Sequence, residues 1–330
     1  YNGGNYAAYY LGCLFYDKGR WEESKELWEK CADNIKLPTV YRNLSLVYYN
    51  KLKDGVLALK AMEKAFSIDK SDARIFFELD QLYKTLNFSL EKRLANMNEN
   101  SDLLEKRDDL YTEYITLLNM NGEYDNTYNR IMNHNFHPWE GGEGKIPAQY
   151  RIALINKAKA EKNTEKAIEY LEKALVYPYN LGEGKLIGNM DNDIYEDKEK
   201  SEQAYRLAAR GEFNLSSAMY YNDQPPQMMY YSAKAIEALG DKDEAKKRFN
   251  AFIEYANNHM NDEMKIDYFA VSLPDFLIFE GDLNKNNKVH CNLMAALGYL
   301  GIGDNDNAQK YAKQGLELNQ CHAELRDIVK

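Results

Sequence analysis

The stretch that decides the fold is Tyr6-Ala7-Ala8-Tyr9-Tyr10-Leu11-Gly12-Cys13-Leu14-Phe15-Tyr16-Asp17-Lys18-Gly19, followed by Arg20-Trp21-Glu22-Glu23-Ser24-Lys25-Glu26-Leu27-Trp28-Glu29-Lys30-Cys31. Ala8, Leu11, Gly12 and Phe15 share one helical face, and the small residues among them let a second helix approach closely. Gly19 permits a tight turn. Ser24, Trp28 and Cys31 then form an i, i+4, i+7 stripe that docks back on the first helix. The expected unit is a helical hairpin.

The same frame recurs along the chain. Tyr41, Leu44, Ser45 and Tyr48, with Ala58, Met62 and Ala65, make a second copy with one extra residue in its turn. Phe76, Leu79 and Tyr83 open a third, whose second helix runs from about Ser89 into Asn96. A fourth carries Tyr111, Tyr114, Leu118, Gly122 and Ile131, and a fifth Leu154, Ala158, Ala167, Leu171 and Ala174. Met229, Ala233, Ile236, Gly240, Ala245, Phe249 and Phe252 form the sixth, and Asn292, Ala295, Ala296, Tyr299, Gly303, Ala308 and Ala312 the seventh. This register resembles the tetratricopeptide repeat, a helix-turn-helix unit of about 34 residues. The resemblance implies an all-α fold: an α-solenoid of stacked tetratricopeptide-like hairpins in a curved superhelix, with residues 1–330 as one array. Non-repeat insertions are expected near 137–146, 180–192, 214–226 and 257–289, the last with an amphipathic piece at 266–279 and a turn-rich 280–288. Near Tyr195 and Glu196 the repeat arithmetic predicts that about one helix is missing.

Composition narrows the function. The 42 basic against 52 acidic side chains give a net charge of −10, which argues against nucleic acid or an anionic membrane as partner. No run approaches the roughly eighteen apolar residues of a membrane helix, so no membrane role and a cytoplasmic location are expected. The chain opens at Tyr1 without methionine and already in a helical pattern, which suggests an excised piece of something longer. Four cysteines are too few for a disulfide scaffold at this length, and buried thiols are expected.

The least helical passage is His137-Pro138-Trp139-Glu140-Gly141-Gly142-Glu143-Gly144-Lys145, whose tail returns as Gly182-Glu183-Gly184-Lys185. Two copies of Gly-Glu-Gly-Lys suggest equivalent corners of consecutive units. A phosphate-cradling loop is excluded, because Ile146 and Leu186 stand where that motif needs Ser or Thr, and no strand precedes either copy. The five histidines show no nucleophile arrangement. Asp282-Leu283-Asn284-Lys285-Asn286 opens like a calcium loop but lacks the sixth-place glycine and the twelfth-place glutamate. His290-Cys291 and Cys321-His322 would meet at the ends of the last hairpin with a zinc-like ligand set, yet neighbouring residues on a helix diverge by about 100° and rarely ligate together. No cofactor and no metal are expected, and the chain reads as a non-enzyme.

Several segments are specific enough to narrow the resemblance further: Phe77-Glu78-Leu79-Asp80-Gln81-Leu82-Tyr83-Lys84, Lys106-Arg107-Asp108-Asp109-Leu110, the loop at 137–145, Tyr177-Pro178-Tyr179-Asn180-Leu181-Gly182, residues 220–226, and Lys265-Ile266-Asp267-Tyr268-Phe269-Ala270-Val271-Ser272-Leu273-Pro274. Together they resemble the C-terminal half of large bacterial tetratricopeptide proteins in which a β-sandwich domain of unknown function precedes the repeats. That resemblance implies a context of carbohydrate metabolism and transfers no catalytic residue.

Two functions follow. The first is an interaction scaffold that holds a protein or peptide, the N-terminal domain of the same polypeptide being one such partner. The alternative is the accessory half of a carbohydrate-active enzyme, with loop carboxylates completing a sugar site, which would require separations of about 5 to 9.5 Å. The expected binding surface gathers Trp139, Glu140, Glu143, Lys145, Glu183, Lys185, Asn222, Asp223 and Gln224 at one corner, with Tyr9, Tyr16 and Tyr49 on the inner stripe of first helices. Replacing Glu143 and Glu183 by alanine is then expected to weaken binding while leaving thermal stability nearly unchanged. The competing uses are Trp139 folded under its own loop and tyrosines packed between repeats.

Overall fold

The computed structural model describes residues 3–137, 139, 141–184, 202, 205–211, 213–218, 223–265 and 278–329. The break expected at Tyr195 and the amphipathic piece beginning at Ile266 lie largely outside them. The fold is all-α, with no strand among the described residues, and successive helices pair as hairpins in the expected order. The chain divides into two compact units: Tyr1–Tyr111 with Leu277–Gly281, and Thr112–Phe276 with Asp282–Lys330.

The first unit opens with α1 (Gly3–Asp17) and α2 (Trp21–Ile35). Ser24, Trp28 and Cys31 are buried, and the Trp28 indole fills the space over Gly12, where a Cβ would lie 2.5 Å from Nε1. That Nε1 donates to the Tyr9 carbonyl at 3.0 Å, so the ring's one polar group is satisfied as it is buried. Leu11 does not join this contact. It is exposed on the outer side of α1, and the close approach rests on the glycine. Next come α3 (Pro38–Leu46), a π-helical turn Val47–Lys51, α4 (Gly55–Ile68), α5 (Ala73–Thr85), α6 (Leu90–Glu99) and a 3-10 turn Ser101–Lys106. The extra residue expected between α3 and α4 is taken up inside the helix, as the π turn, where widening the ring accommodates one more residue without lengthening the loop.

The division between units falls inside α7 (Asp108–Met120). The second unit continues with α8 (Tyr124–Met132), α9 (Lys145–Ala160), α10 (Thr164–Ala174), α11 (Pro226–Ala238), α12 (Lys242–His259), α13 (Leu283–Gly301), α14 (Asn305–Leu318) and α15 (Ala323–Val329). Met229, Ala233, Phe249, Phe252, Met294 and Ala295 centre its core. Contrary to the turn-rich reading of 280–288, α13 starts at Leu283: the Asp282 carboxylate accepts from the Lys285 N–H at 2.9 Å and nucleates a polar first turn.

One backbone feature recurs at the hairpin turns. Gly19, Lys53, Asn87 and Gly122 all take φ between +56° and +83°, at intervals of about 34 residues, and Gly240 and Gly303 are also left-handed later, at +103° and +82°. In three of these turns the next residue is an aspartate, Asp54, Asp241 or Asp304, that caps the following helix. These turns pair a left-handed residue with a nearby N-cap, and they accept lysine or asparagine at the cost of local strain, whereas the turn between α9 and α10 has no left-handed residue.

Candidate functional site

The two glycine loops touch. Around the first, Gly142 N–H donates to the Trp139 carbonyl at 2.9 Å and Lys145 N–H to the Gly142 carbonyl at 3.0 Å. The half-buried Trp139 ring lies against Gly142, where a Cβ would come within 2.1 Å of it, so Trp139 packs on its own loop. The second loop is sewn to the chain just before the first. Phe136 N–H donates to the Asn180 carbonyl, and Asn180 Nδ2 donates to the carbonyls of Ile131 and His134 at 2.7 and 2.9 Å. Glu183 then accepts from Gly144 N–H at 2.7 Å.

Gly144 is the N-cap of α9, so the Glu183 carboxylate sits where a helix presents unbonded N–H groups and positive partial charge. Glu143 and Lys145 are exposed on the same loop, while Glu140, Lys185 and Asn222 lie outside the described residues. The two glutamates therefore separate, although the sequence treats them alike. Glu183→Ala is expected to cost about 1 kcal/mol, because it removes a charge-assisted bond at a helix N-terminus. Glu143→Ala is expected to stay within about 0.5 kcal/mol. Thermal melts of the two variants check this, and equal melting points would remove the structural role given to Glu183.

Asp223 and Gln224 belong to the corner formed by α11, α12 and α13. Gln224 Nε2 and Ser232 Oγ both approach Gly211, and the Asp223 charge acts on Tyr255 and His290. His290 Nε2 donates to the Ser216 carbonyl at 2.8 Å, and Tyr255 packs against both His290 and His259. Burial pushes Tyr255 up to about 12 and holds His290 and His322 below the ordinary histidine value. A histidine that resists protonation only when folded stabilises fully above its unfolded pKa near 6.5, and that stability is lost as pH falls below it. Unfolding free energy is thus expected to drop on acidification below about pH 6.5, by at most about 1.4 kcal/mol per pH unit for each histidine. His290→Gln, which can still donate to Ser216, should flatten that slope in urea melts across pH 5 to 7 (about the window set by the unfolded value). Among the described residues no group of three or more His, Cys, Asp or Glu is placed to hold a metal ion.

The tyrosine stripe lies in the first unit. Burial, then the Cys13 thiol beside it, push the Tyr9 phenol up to about 12, and the Tyr16 ring lies 5.9 Å from Trp28. Both tyrosines act on Arg42, which forms a two-point pair with the buried Glu78 at 2.6 and 2.8 Å, and Arg74 reaches the same carboxylate at 3.1 Å. The residues sequence reasoning missed gather at the π turn. Asn50 Nδ2 donates to the Ile278 carbonyl at 2.8 Å, and Glu280 N–H donates back to Asn50 Oδ1 at 2.9 Å. Between those two bonds Phe279 is buried, its ring 5.4 Å from Tyr49 and edge-on. Lys51 and Lys53 bond the two oxygens of Glu280 at 2.7 and 3.0 Å, and Lys51 also lies over the Trp21 ring. Burial alone would raise the Glu280 carboxyl, but the two lysines outweigh it and hold it below its usual range. The pair of lysines flanking Leu52, just after an extra helical residue, was the available signal.

Among solved structures the chain is similar to a tetratricopeptide repeat protein from Parabacteroides merdae, at 10% identity and a TM-score of 0.46, with 99% of this chain and 97% of that one covered. It is also similar to the C-terminal part of a TPR repeat-containing protein from Cytophaga hutchinsonii, at 16% identity and a TM-score of 0.35, covering 98% and 99%. A family model described as tetratricopeptide repeat matches residues 227–257, which are α11, its turn and most of α12. The chain therefore carries a tetratricopeptide repeat within an all-α succession of helical hairpins.

Proposed function

We propose that this chain is a protein-interaction scaffold that binds a segment of protein on the first-helix side of its first unit. The observation that carries this reading is the hold on Ile278-Phe279-Glu280. There, side chains of the π turn engage a non-helical piece of polypeptide through its main chain, an aromatic ring and a carboxylate together. A surface that reads backbone and side chains at once is built for peptide rather than for a small apolar ligand. The accessory sugar site draws less support, since Glu183, one of the carboxylates it needs, is bonded to the Gly144 N–H. No helix among the described residues is long and apolar enough to cross a membrane.

The partner we propose to test first is a β-sandwich domain of the kind that the sequence resemblance implies upstream in the same polypeptide. Calorimetric titration of this chain with that domain should give saturable 1:1 binding with Kd of about 10 µM or tighter. Lys51→Glu with Lys53→Glu should weaken it by about tenfold. Absence of saturable heat would remove this partner. Undiminished binding to the double variant would remove the π-turn surface as its seat.

A further inference from the structure

Asn50, Lys51 and Lys53 do more than fasten one loop, and their arrangement specifies what the surface can hold. The Asn50 carboxamide uses its donor and its acceptor on the carbonyl before Phe279 and the N–H after it. That reads the main chain on either side of a single residue, independently of which residue stands there. The residue itself is then chosen by the space beside Tyr49, where Phe279 retains only 1% of its exposure. Selection at the following position comes from charge. Two ammonium groups take one carboxylate oxygen each, a demand that Gln, Ser or Lys would leave unmet.

These three demands are met within three consecutive residues that lie far from the site in sequence. The segment is bent rather than helical, and it belongs to the first unit only through this contact region of Leu277–Gly281. The site also has supports that do not involve the segment. The π turn is part of α3's own hydrogen-bonded run, Asp54 N–H is anchored to the Tyr48 carbonyl, and Lys51 rests on Trp21. A surface with its own supports and a short occupant whose side chains fill it are the two parts of a linear-motif interaction.

We propose that the π turn of the first unit is a binding site for a short peptide in which an aromatic residue is followed directly by Asp or Glu, and that Ile278-Phe279-Glu280 is its internal occupant. The same site takes such a sequence from another polypeptide in competition with the chain's own copy. This rests on the scaffold reading above and names its ligand class. An internal ligand is present at high effective concentration, so a competing peptide meets an attenuated site unless the internal copy is weakened.

The test uses the full chain and a fluorescein-labelled peptide of sequence Ile-Phe-Glu-Gly-Asp, that of residues 278–282. Fluorescence polarisation is measured for the parent, for Phe279→Ala and for Glu280→Lys. Because Phe279 is buried and its replacement can unsettle the fold, Glu280→Lys serves as the second variant: Glu280 is about half exposed, and the new lysine faces Lys51 and Lys53. Both variants are expected to bind the peptide at least about tenfold more tightly than the parent, and adding Asn50→Ala should return that binding to the parent's level. Equal binding by parent and by a Glu280→Lys chain with an unchanged circular dichroism spectrum overturns the proposal. Selection of displayed random peptides on the Glu280→Lys chain separates the two levels. Enrichment of aromatic-acidic pairs supports the ligand class. Enrichment of another sequence overturns that class and leaves the scaffold reading standing, whereas no enrichment overturns both.

Discussion

Asp80→Ala is expected to lower the unfolding free energy by about 3–5 kcal/mol. Asp80 on α5 and Arg93 on α6 are both 0% exposed, and they meet through two bonds, Nε to Oδ1 at 3.0 Å and Nη2 to Oδ2 at 2.5 Å. Removing the carboxylate takes both of these bonds from a guanidinium that is 0% exposed and cannot lose its proton, and the weakened compensation of that buried charge, more than the lost bonds, sets the size of the effect. Arg93→Met combined with Asp80→Leu replaces the pair by apolar side chains of similar bulk and should recover most of the loss. Urea denaturation followed by circular dichroism reads both. If the double variant is no more stable than Asp80→Ala, the loss comes from packing rather than from a stranded charge.

Gly298→Ala is expected to destabilise the second unit by about 1–3 kcal/mol, although alanine is the better helix former by about 1 kcal/mol. A Cβ there would lie 2.7 Å from the Phe249 carbonyl oxygen, 2.7 Å from Ile253 Cγ1 and 3.1 Å from Phe252 Cβ. A flexible side chain can swing aside, but a backbone oxygen moves only with its helix, so α12 and α13 must part along the contact that fills this core. Gly4→Ala is the control, since nothing lies within 4 Å of its Cβ position in α1. It should leave the melting temperature unchanged or raise it. A Gly298→Ala melt that matches the Gly4→Ala melt would show that the helices are not pinned at this point.

The hairpins were legible in the sequence because their determinants are local and periodic. Gly12 opposite Trp28, the turn glycines Gly19, Gly122, Gly240 and Gly303, and small residues at helical spacing all act within one repeat. The start of α13 was not legible, because Leu283-Asn284-Lys285-Asn286-Asn287 has turn-like composition, and only the Asp282 cap marks it as a helix. Asp80 and Arg93 were also missed: an amphipathic reading sends charges outward, and nothing short of three-dimensional pairing shows that two of them face each other in the core. The glycine loops were noticed for their repetition, but repetition does not reveal that Glu183 serves Gly144 while Glu143 faces outward. The contact of Asn50 with residues 278–280 spans more than two hundred positions, a separation at which no spacing rule operates.

The π turn at Val47–Lys51 has a further consequence, which concerns angle rather than chemistry. Each residue of an α-helix advances the chain by about 100° around its axis, so one residue gained or lost re-aims everything that follows by more than a quarter turn. Asn50, Lys51 and Lys53 keep their identities under such a change, yet they would no longer converge on the same three residues. Removing Tyr49 or adding a residue before it would re-point the amide and both lysines without altering any of them. The hold of this turn on Ile278-Phe279-Glu280 is therefore written in the phase of the helix, and a one-residue insertion or deletion would break it without replacing any of the residues that make it.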